Sequence, residues 1–296
     1  MDGVLLIDKP PGPTSHDVVA RLRGTSREKS IGHTGTLDPR ATGLLPLVCG
    51  KATRLASLLS GEDKVYEATI RLGWATDTDD AEGQAIGTAA ARLPADAEIE
   101  EAAVAFRGTF EQTPPTHSAK RLGGHKAYDL ARSAAPVALR PVSVTVRALE
   151  VTGREGDALQ IRVTATAGFY VRALARDLGE KLGCGGHLLA LRRTRSGAFD
   201  VSQALPLAAA ERLGREVAAH VIPPAEALPH LPSVQVTVPG LKRAVHGNSL
   251  GPEHLEGRWI PPHGAGGPVR VLGPDGQLVA LAHSRGGALH PAVVLG

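Results

Sequence analysis

Gly32-His33-Thr34-Gly35-Thr36-Leu37-Asp38-Pro39, followed after Arg40 by Ala41-Thr42-Gly43-Leu44-Leu45-Pro46, is the most constrained stretch of the chain. Glycines and prolines bracket one carboxylate. A proline disfavours the α region for the residue before it, so Asp38 sits on an extended, backbone-fixed loop and not in a helix. Taken alone, an Asp-Pro step reads first as a turn. A phosphate-cradling reading is weaker still. Gly50-Lys51-Ala52 has the wrong spacing for a Walker A loop, Ala52 lacks the hydroxyl a magnesium ion needs, and Pro46 interrupts the turn.

Outward from this loop the chain is mixed. Val4, Leu6 and their neighbours begin a strand-like run, and Asp17 to Arg23 reads as a short helix capped by Thr14 or Ser15. Lys64 to Leu72 alternates imperfectly, whereas Leu159, Ile161 and Val163 alternate well, and both stretches predict strands. Val171, Leu174, Leu178 and Leu182 recur at helical spacing and stop at Gly183. Prolines 223, 224, 229 and 232 then break every regular pattern, which puts a domain boundary near 229. Beyond it lies a small β-rich tail: Val234 to Val238, Val269 to Leu272, a Pro274-Asp275-Gly276 turn, and Leu278 to Ala282.

Composition narrows the class. The 296 residues carry 33 Lys and Arg against 30 Asp and Glu, a net charge of +3, so any nucleic-acid surface must be local. From His117 to Arg147 the chain holds Lys120, Arg121, Lys126, Arg132, Arg140 and Arg147 with Asp129 as the only acid, and Gly123-Gly124 lies in its middle. That pattern predicts a flexible basic insertion able to grip phosphates. Hydrophobic residues at 42% and charged residues at 21% exclude a wholly disordered or collagen-like chain. Cys49 and Cys184 stand far apart with no CxxC pair, which excludes a zinc ribbon and a disulfide scaffold and suits a reducing cytoplasm. Val4 to Ile7 is too short for a signal-peptide core, and no run of about 18 apolar residues follows, so neither export nor membrane spanning is expected.

The string GHTGTLDPRATGLLPLVCGKATRL, preceded by LLIDKPPGPTSHDVV, closely resembles the catalytic motif of the TruB family, the bacterial tRNA pseudouridine-55 synthases. The resemblance continues in order through DKVYEATIRLGWATDTDDAEG, QTPPTHSAKRLGGHKAYDLAR and GFYVRALARDLGEKLGCGGHLLALRRTRSGAF, over about residues 3 to 206. Any one of these motifs would be modest support. Their common order carries the weight.

The resemblance implies a catalytic role for Asp38 and a base-stacking role for Tyr66. It pairs Arg172 with Asp38, lines the uridine pocket with Tyr170 and Leu191, and sets His33 against the RNA near the space left by a flipped nucleotide. Lys9-Pro10 and Gly12 match a motif that braces the active-site loop. Lys120, Arg121 and Lys126 are the candidate RNA-binding side chains of the basic insertion. These roles make physical sense. Chemistry on a uracil needs the base out of its stack, an aromatic face can hold it, and an arginine keeps a desolvated carboxylate charged. Each residue also has a plainer reading: Tyr66 as packing, Arg172 as a surface arginine, His33 bonding a turn carbonyl, Leu191 as core.

The implied fold is an α+β pseudouridine synthase domain over 1–228, with a central mixed or antiparallel sheet, an RNA-binding cleft and the insertion at about 117–147. A small β-rich PUA-like domain follows over 229–296. The implied activity is isomerisation of uridine 55 in the T-arm of tRNA, in the cytoplasm, with no metal or cofactor and no obligate protein partner. Asp38 suits either attack at C1′ or abstraction of the 2′ proton. The rival class is an RNA-binding or RNA-folding protein without chemistry, which would gain nothing from a carboxylate facing phosphates. A third reading, a relative acting in a guide complex, is disfavoured by the short C-terminal domain and the absence of a lysine-rich tail. The chain departs from the family at Ala167-Gly168-Phe169-Tyr170, where Lys-Gly-Thr-Tyr is common, and at Arg40, where Leu is common.

Overall fold

The computed structural model describes residues 1–115, 140–257 and 267–296, together with the backbone of 121–122 and 125–126. The first strands are β1 (Gly3–Lys9), β2 (Ile31–His33), β3 (Thr42–Cys49) and β4 (Lys64–Leu72), then a separate hairpin of β5 (Ala75–Thr76) and β6 (Ala85–Ile86). There follow β7 (Gly108–Gln112), the two-residue strands β8 (Arg121–Leu122) and β9 (His125–Lys126), β10 (Val142–Glu155), β11 (Ala158–Ala165), β12 (Gly186–Ser196), β13 (Phe199–Asp200) and β14 (Leu205–Pro206). One mixed sheet of ten strands runs β14-β1-β3-β12-β4-β11-β10-β7, with β2 on β3 and β13 on β12. Helices pack on this sheet, so the molecule has the α+β character expected from the sequence.

Val4, Leu5, Leu6 and Ile7 are all buried, because β1 has protein on both faces. Leu5 and Ile7 pack with Leu45 and Leu47 of β3 under the helix Ser15–Ser26, while Val4 and Leu6 pack with Leu44 and Val48 on the other side. The helix is capped by Thr14, whose Oγ1 accepts from the Asp17 N–H at 3.1 Å while Asp17 Oδ2 accepts from the Thr14 N–H at 2.8 Å. A second core lies where β4, β10 and β11 meet the helix Val171–Lys181. That helix ends where the periodicity predicts, and Gly183 takes a φ of 67°.

The two halves of the sheet join where β3 runs parallel to β12 through Arg192–Thr42 and Arg193–Gly43. Gly43 has a φ of 97°, and a Cβ there would lie 2.3 Å from the Arg193 carbonyl oxygen. Only glycine fits.

The smaller sheet has the order β15 (Ser233–Gln235), β16 (Val269–Leu272), β17 (Leu278–Arg285) and β18 (Ala288–Val294). Its Leu278 and Leu281 pack against the face of β1 and β3 that carries Leu6 and Val48. The strand expected over Val234 to Val238 stops at Gln235. Thr237 instead caps the helix Val238–Ala244, accepting from the Gly240 N–H at 3.2 Å, with Pro239 in the first turn. The basic stretch is also shorter than its charges suggest, since β10 begins at Val142 and takes 142–147 into the central sheet. Lys120 lies outside the described residues. Of Arg121 and Lys126 only the backbone is described, as cross-strand partners of β8 and β9.

Candidate active site

Between β2 and β3, residues 34–41 form neither helix nor strand, and their shape comes from distant groups. The Thr34 N–H donates to the Pro46 carbonyl at 3.1 Å. Ser15 Oγ accepts from the Leu37 N–H at 2.8 Å and donates to the Leu37 carbonyl at 3.1 Å. The Pro39 carbonyl accepts from Lys9 Nζ at 2.9 Å and from the Gly12 N–H at 2.9 Å. Arg193 donates through Nη2 to the Gly35 carbonyl at 3.1 Å and through Nε to the Leu44 carbonyl at 2.7 Å. Lys9 and Arg193 are fully buried cations that solvate backbone carbonyls in place of water. Burial pushes the Lys9 ammonium down to about 8, against the pull of Asp38. The Arg193 guanidinium is also lowered by burial, which the neighbouring Tyr66 opposes.

Asp38 stands at the edge of a cavity of about 530 Å³ whose lining includes Tyr66, Tyr170, Arg172, Leu191 and Lys64. Arg172 Nε lies 3.0 Å from Asp38 Oδ2. Desolvation raises the Asp38 carboxyl above its ordinary value, Arg172 opposes that rise, Asp80 adds to it, and Lys9 opposes it. Tyr66 lies on β4 directly opposite Arg193 of β12. Leu191 packs against both cores of the large sheet. Tyr170 precedes the first turn of the helix Val171–Lys181, which carries Arg172.

Five residues singled out by the sequence therefore share one pocket: Asp38, Tyr66, Tyr170, Arg172 and Leu191. His33 does not line it. That histidine sits at the end of β2 with its ring 5.2 Å from the His16 ring, and burial lowers its pKa. Its Nδ1 is buried without a hydrogen-bond partner among the described residues.

An acidic loop completes the site, and the sequence reading assigns it no role. Asp80 Oδ2 is 3.4 Å from Arg172 Nη1, and Asp79 Oδ2 is 2.8 Å from Arg176 Nη1. The spacing of Arg172 and Arg176 is one helical turn, so two consecutive aspartates meet two arginines on one face. Asp79 achieves this in the left-handed region, at φ 62°. The signal was present as Asp77-Thr78-Asp79-Asp80 within one of the motifs, but nothing local to it shows which cations it faces. Lys64 was likewise unremarked. It is buried in the pocket wall, its ammonium pushed down to about 8 by desolvation, and donates to the Ser60 and Glu62 carbonyls at 2.5 Å each. Among the described residues, no three His, Cys, Asp or Glu side chains gather so as to hold a metal ion.

Comparison with known proteins gives the family. Residues 23–171 match the family model for the N-terminal domain of TruB family pseudouridylate synthases. Residues 172–228 match a tRNA pseudouridylate synthase B C-terminal domain, and 252–296 match the C-terminal model of tRNA pseudouridine synthase II. Proteins named tRNA pseudouridine synthase B from Thermobifida fusca and Aromatoleum aromaticum are each 45% identical, covering 99% and 98% of this chain and 98% and 92% of their own. Among solved structures, a Cbf5-Nop10-Gar1 complex contains a chain 27% identical with a TM-score of 0.76, covering 100% of this chain and 85% of that one. An H/ACA ribonucleoprotein bound to a substrate RNA containing 2′-deoxyuridine gives 27% and 0.73, with 99% and 85% covered. With the motifs in order, the carboxylate and its arginine on one pocket, and relatives matched from end to end, the chain belongs to the TruB family of pseudouridylate synthases.

Proposed function

We propose that this protein isomerises uridine 55 in the T-arm of tRNA to pseudouridine, with Asp38 as the catalytic carboxylate. The observation that carries the reading is the Asp38–Arg172 pair at 3.0 Å beside a pocket that also presents Tyr66, Tyr170 and Leu191. The cavity suits an extruded nucleotide: an aromatic ring to stack on the base, apolar walls and one carboxylate. In the reaction the C1′–N1 bond breaks, the base turns, C5 bonds to C1′, the C5 proton leaves and N1 gains a proton. Atoms and charge balance without a redox partner or group donor. Asp38 serves either as nucleophile at C1′ or as base toward the 2′ proton, the second giving a glycal.

His33, beside the loop, contacts the RNA near the vacated stack. The basic insertion with Lys120, Arg121 and Lys126 holds phosphates. Residues 229–296 form a PUA-like RNA-binding domain after a catalytic domain over 1–228. The enzyme works without metal, cofactor or protein partner, in the cytoplasm. No helix among the described residues is long and apolar enough to cross a membrane. Relatives named tRNA pseudouridine synthase B match over 98% and 92% of their length, which favours tRNA over a guided RNA as substrate.

The test is to incubate the protein with unmodified tRNA transcript, without added metal or cofactor, and map pseudouridine by position. Product at position 55 is expected. Product elsewhere, or none, overturns the reading.

A further inference from the structure

Gln112, the last residue of β7, is fully buried, and its carboxamide takes both main-chain groups of Tyr170. Nε2 donates to the Tyr170 carbonyl at 3.1 Å, and Oε1 accepts from the Tyr170 N–H at 2.8 Å. Tyr170 is the N-cap of the helix Val171–Lys181, and its side chain makes no capping bond. A carboxamide 58 residues away instead holds the main chain of the N-cap residue itself. Nearby, Arg176 Nη2 donates to the Thr113 carbonyl at 2.9 Å. The end of β7 is thus tied to the helix at its start and again one turn beyond Arg172.

We propose that Gln112 is a positioning residue: by holding the main chain of Tyr170 it sets where the helix begins and so where Arg172 meets Asp38. This rests on the reading of Asp38 as the catalytic carboxylate. A buried carboxamide fitted at both its ends has one orientation and tolerates no drift of the backbone it grips. The distance at stake is the 3.0 Å between Arg172 and Asp38. Arg172 has a competing acid in Asp80 and a carbonyl in Thr78, at 3.4 and 3.5 Å. A helix start that shifts by a fraction of an ångström leaves the guanidinium nearer to those groups than to Asp38. The charged groups acting on Asp38 are Arg172 from the helix, Asp80 from the acidic loop and Lys9 from β1. Only the first sits on the element that Gln112 holds. Loosening it therefore makes Asp38 easier to protonate, while Lys9 and Asp80 act as before.

The experiment uses the full chain with Gln112→Met, which keeps the side-chain volume and removes both hydrogen bonds. Gln112→Leu, uncharged and equally unable to hydrogen-bond, serves if the first does not fold. Turnover on tRNA transcript should fall about tenfold or more with KM changed little. The acid limb of the kcat–pH profile should move up by about half a unit or more. A parental rate with a parental acid limb overturns the proposal. So does a loss that is uniform across pH and follows the folded fraction, since that marks a merely structural role. If the parental protein makes no pseudouridine in the transcript, the functional reading has failed separately. Carboxyl carbon NMR of Asp38 in the same variants then decides the positioning: a raised titration midpoint upholds it and an unchanged one ends it.

Discussion

Arg172 and Asp38 form a pair of unequal exposure: the arginine side chain keeps 7% of its surface in solvent and the aspartate 43%. The cation is sunk in the protein and the anion fronts the cavity. Such a pair holds its charge through the buried partner while leaving the carboxylate open to whatever enters. Asp80 behind Arg172 and Asp79 behind Arg176 keep the helix face from carrying uncompensated positive charge.

Asp38→Asn should abolish turnover and keep RNA binding. The amide has the same volume and turn preference but no charge to give the reaction. A rate within about tenfold of the parent, roughly 1.4 kcal/mol of barrier, would remove Asp38 from the chemistry. Stability should respond in the opposite sense. The folded-state pKa of Asp38 is raised, so its charge weakens the fold at neutral pH, and that penalty is relieved as pH falls through the folded value. The Asn variant should therefore melt no lower than the parent at pH 7. Its advantage should shrink toward acid pH, as thermal unfolding at several pH values would reveal.

Tyr66 separates stacking from proton transfer. Tyr66→Phe keeps the ring and removes only the hydroxyl. If the hydroxyl acts in proton transfer, the Phe variant binds RNA normally and slows at the rearrangement. Tyr66→Leu should lose stacking as well, about 1 to 3 kcal/mol. Binding and single-turnover rates of the two variants sort these cases, and a Leu variant with parental rate would return Tyr66 to simple packing.

Neutralising Lys120, Arg121 and Lys126 together should weaken RNA binding and flatten its salt dependence. The slope should drop by about 0.7 to 0.9 log units for every phosphate that the protein no longer neutralises. Binding titrations across a salt series measure it, and an unchanged slope would mean that these cations meet no phosphate.

Gly43→Ala should destabilise the fold by roughly 1 to 3 kcal/mol or more. The new Cβ would meet the Arg193 carbonyl at 2.3 Å on a backbone at φ 97°. Denaturant unfolding gives the loss directly. Parental stability would mean that β3 and β12 separate without cost at their junction.

How much was legible beforehand follows from the range over which each feature is set. Alternation over Leu159–Val163 and helical spacing from Val171 to Gly183 foretold β11 and the helix, because side-chain periodicity and a glycine stop act within one element. The extended loop at Asp38 was equally local, fixed by the proline after it. Motif order linked Asp38 to Arg172, and the pair forms across 134 residues of chain. The start of the strand over 142–155 is hidden because 142–147, ending in Arg147, fall in the stretch read for charge, and Val238 leaves the strand because Thr237 caps the helix that it begins. His33 shares the motif without sharing the pocket. Only the assembled sheet decided that Lys9 and Arg193 would be buried against carbonyls, that Asp80 would face Arg172, and that Gln112 would grip Tyr170. Each of these depends on which strands become neighbours, and burial and charge pairing belong to that arrangement and not to any one segment.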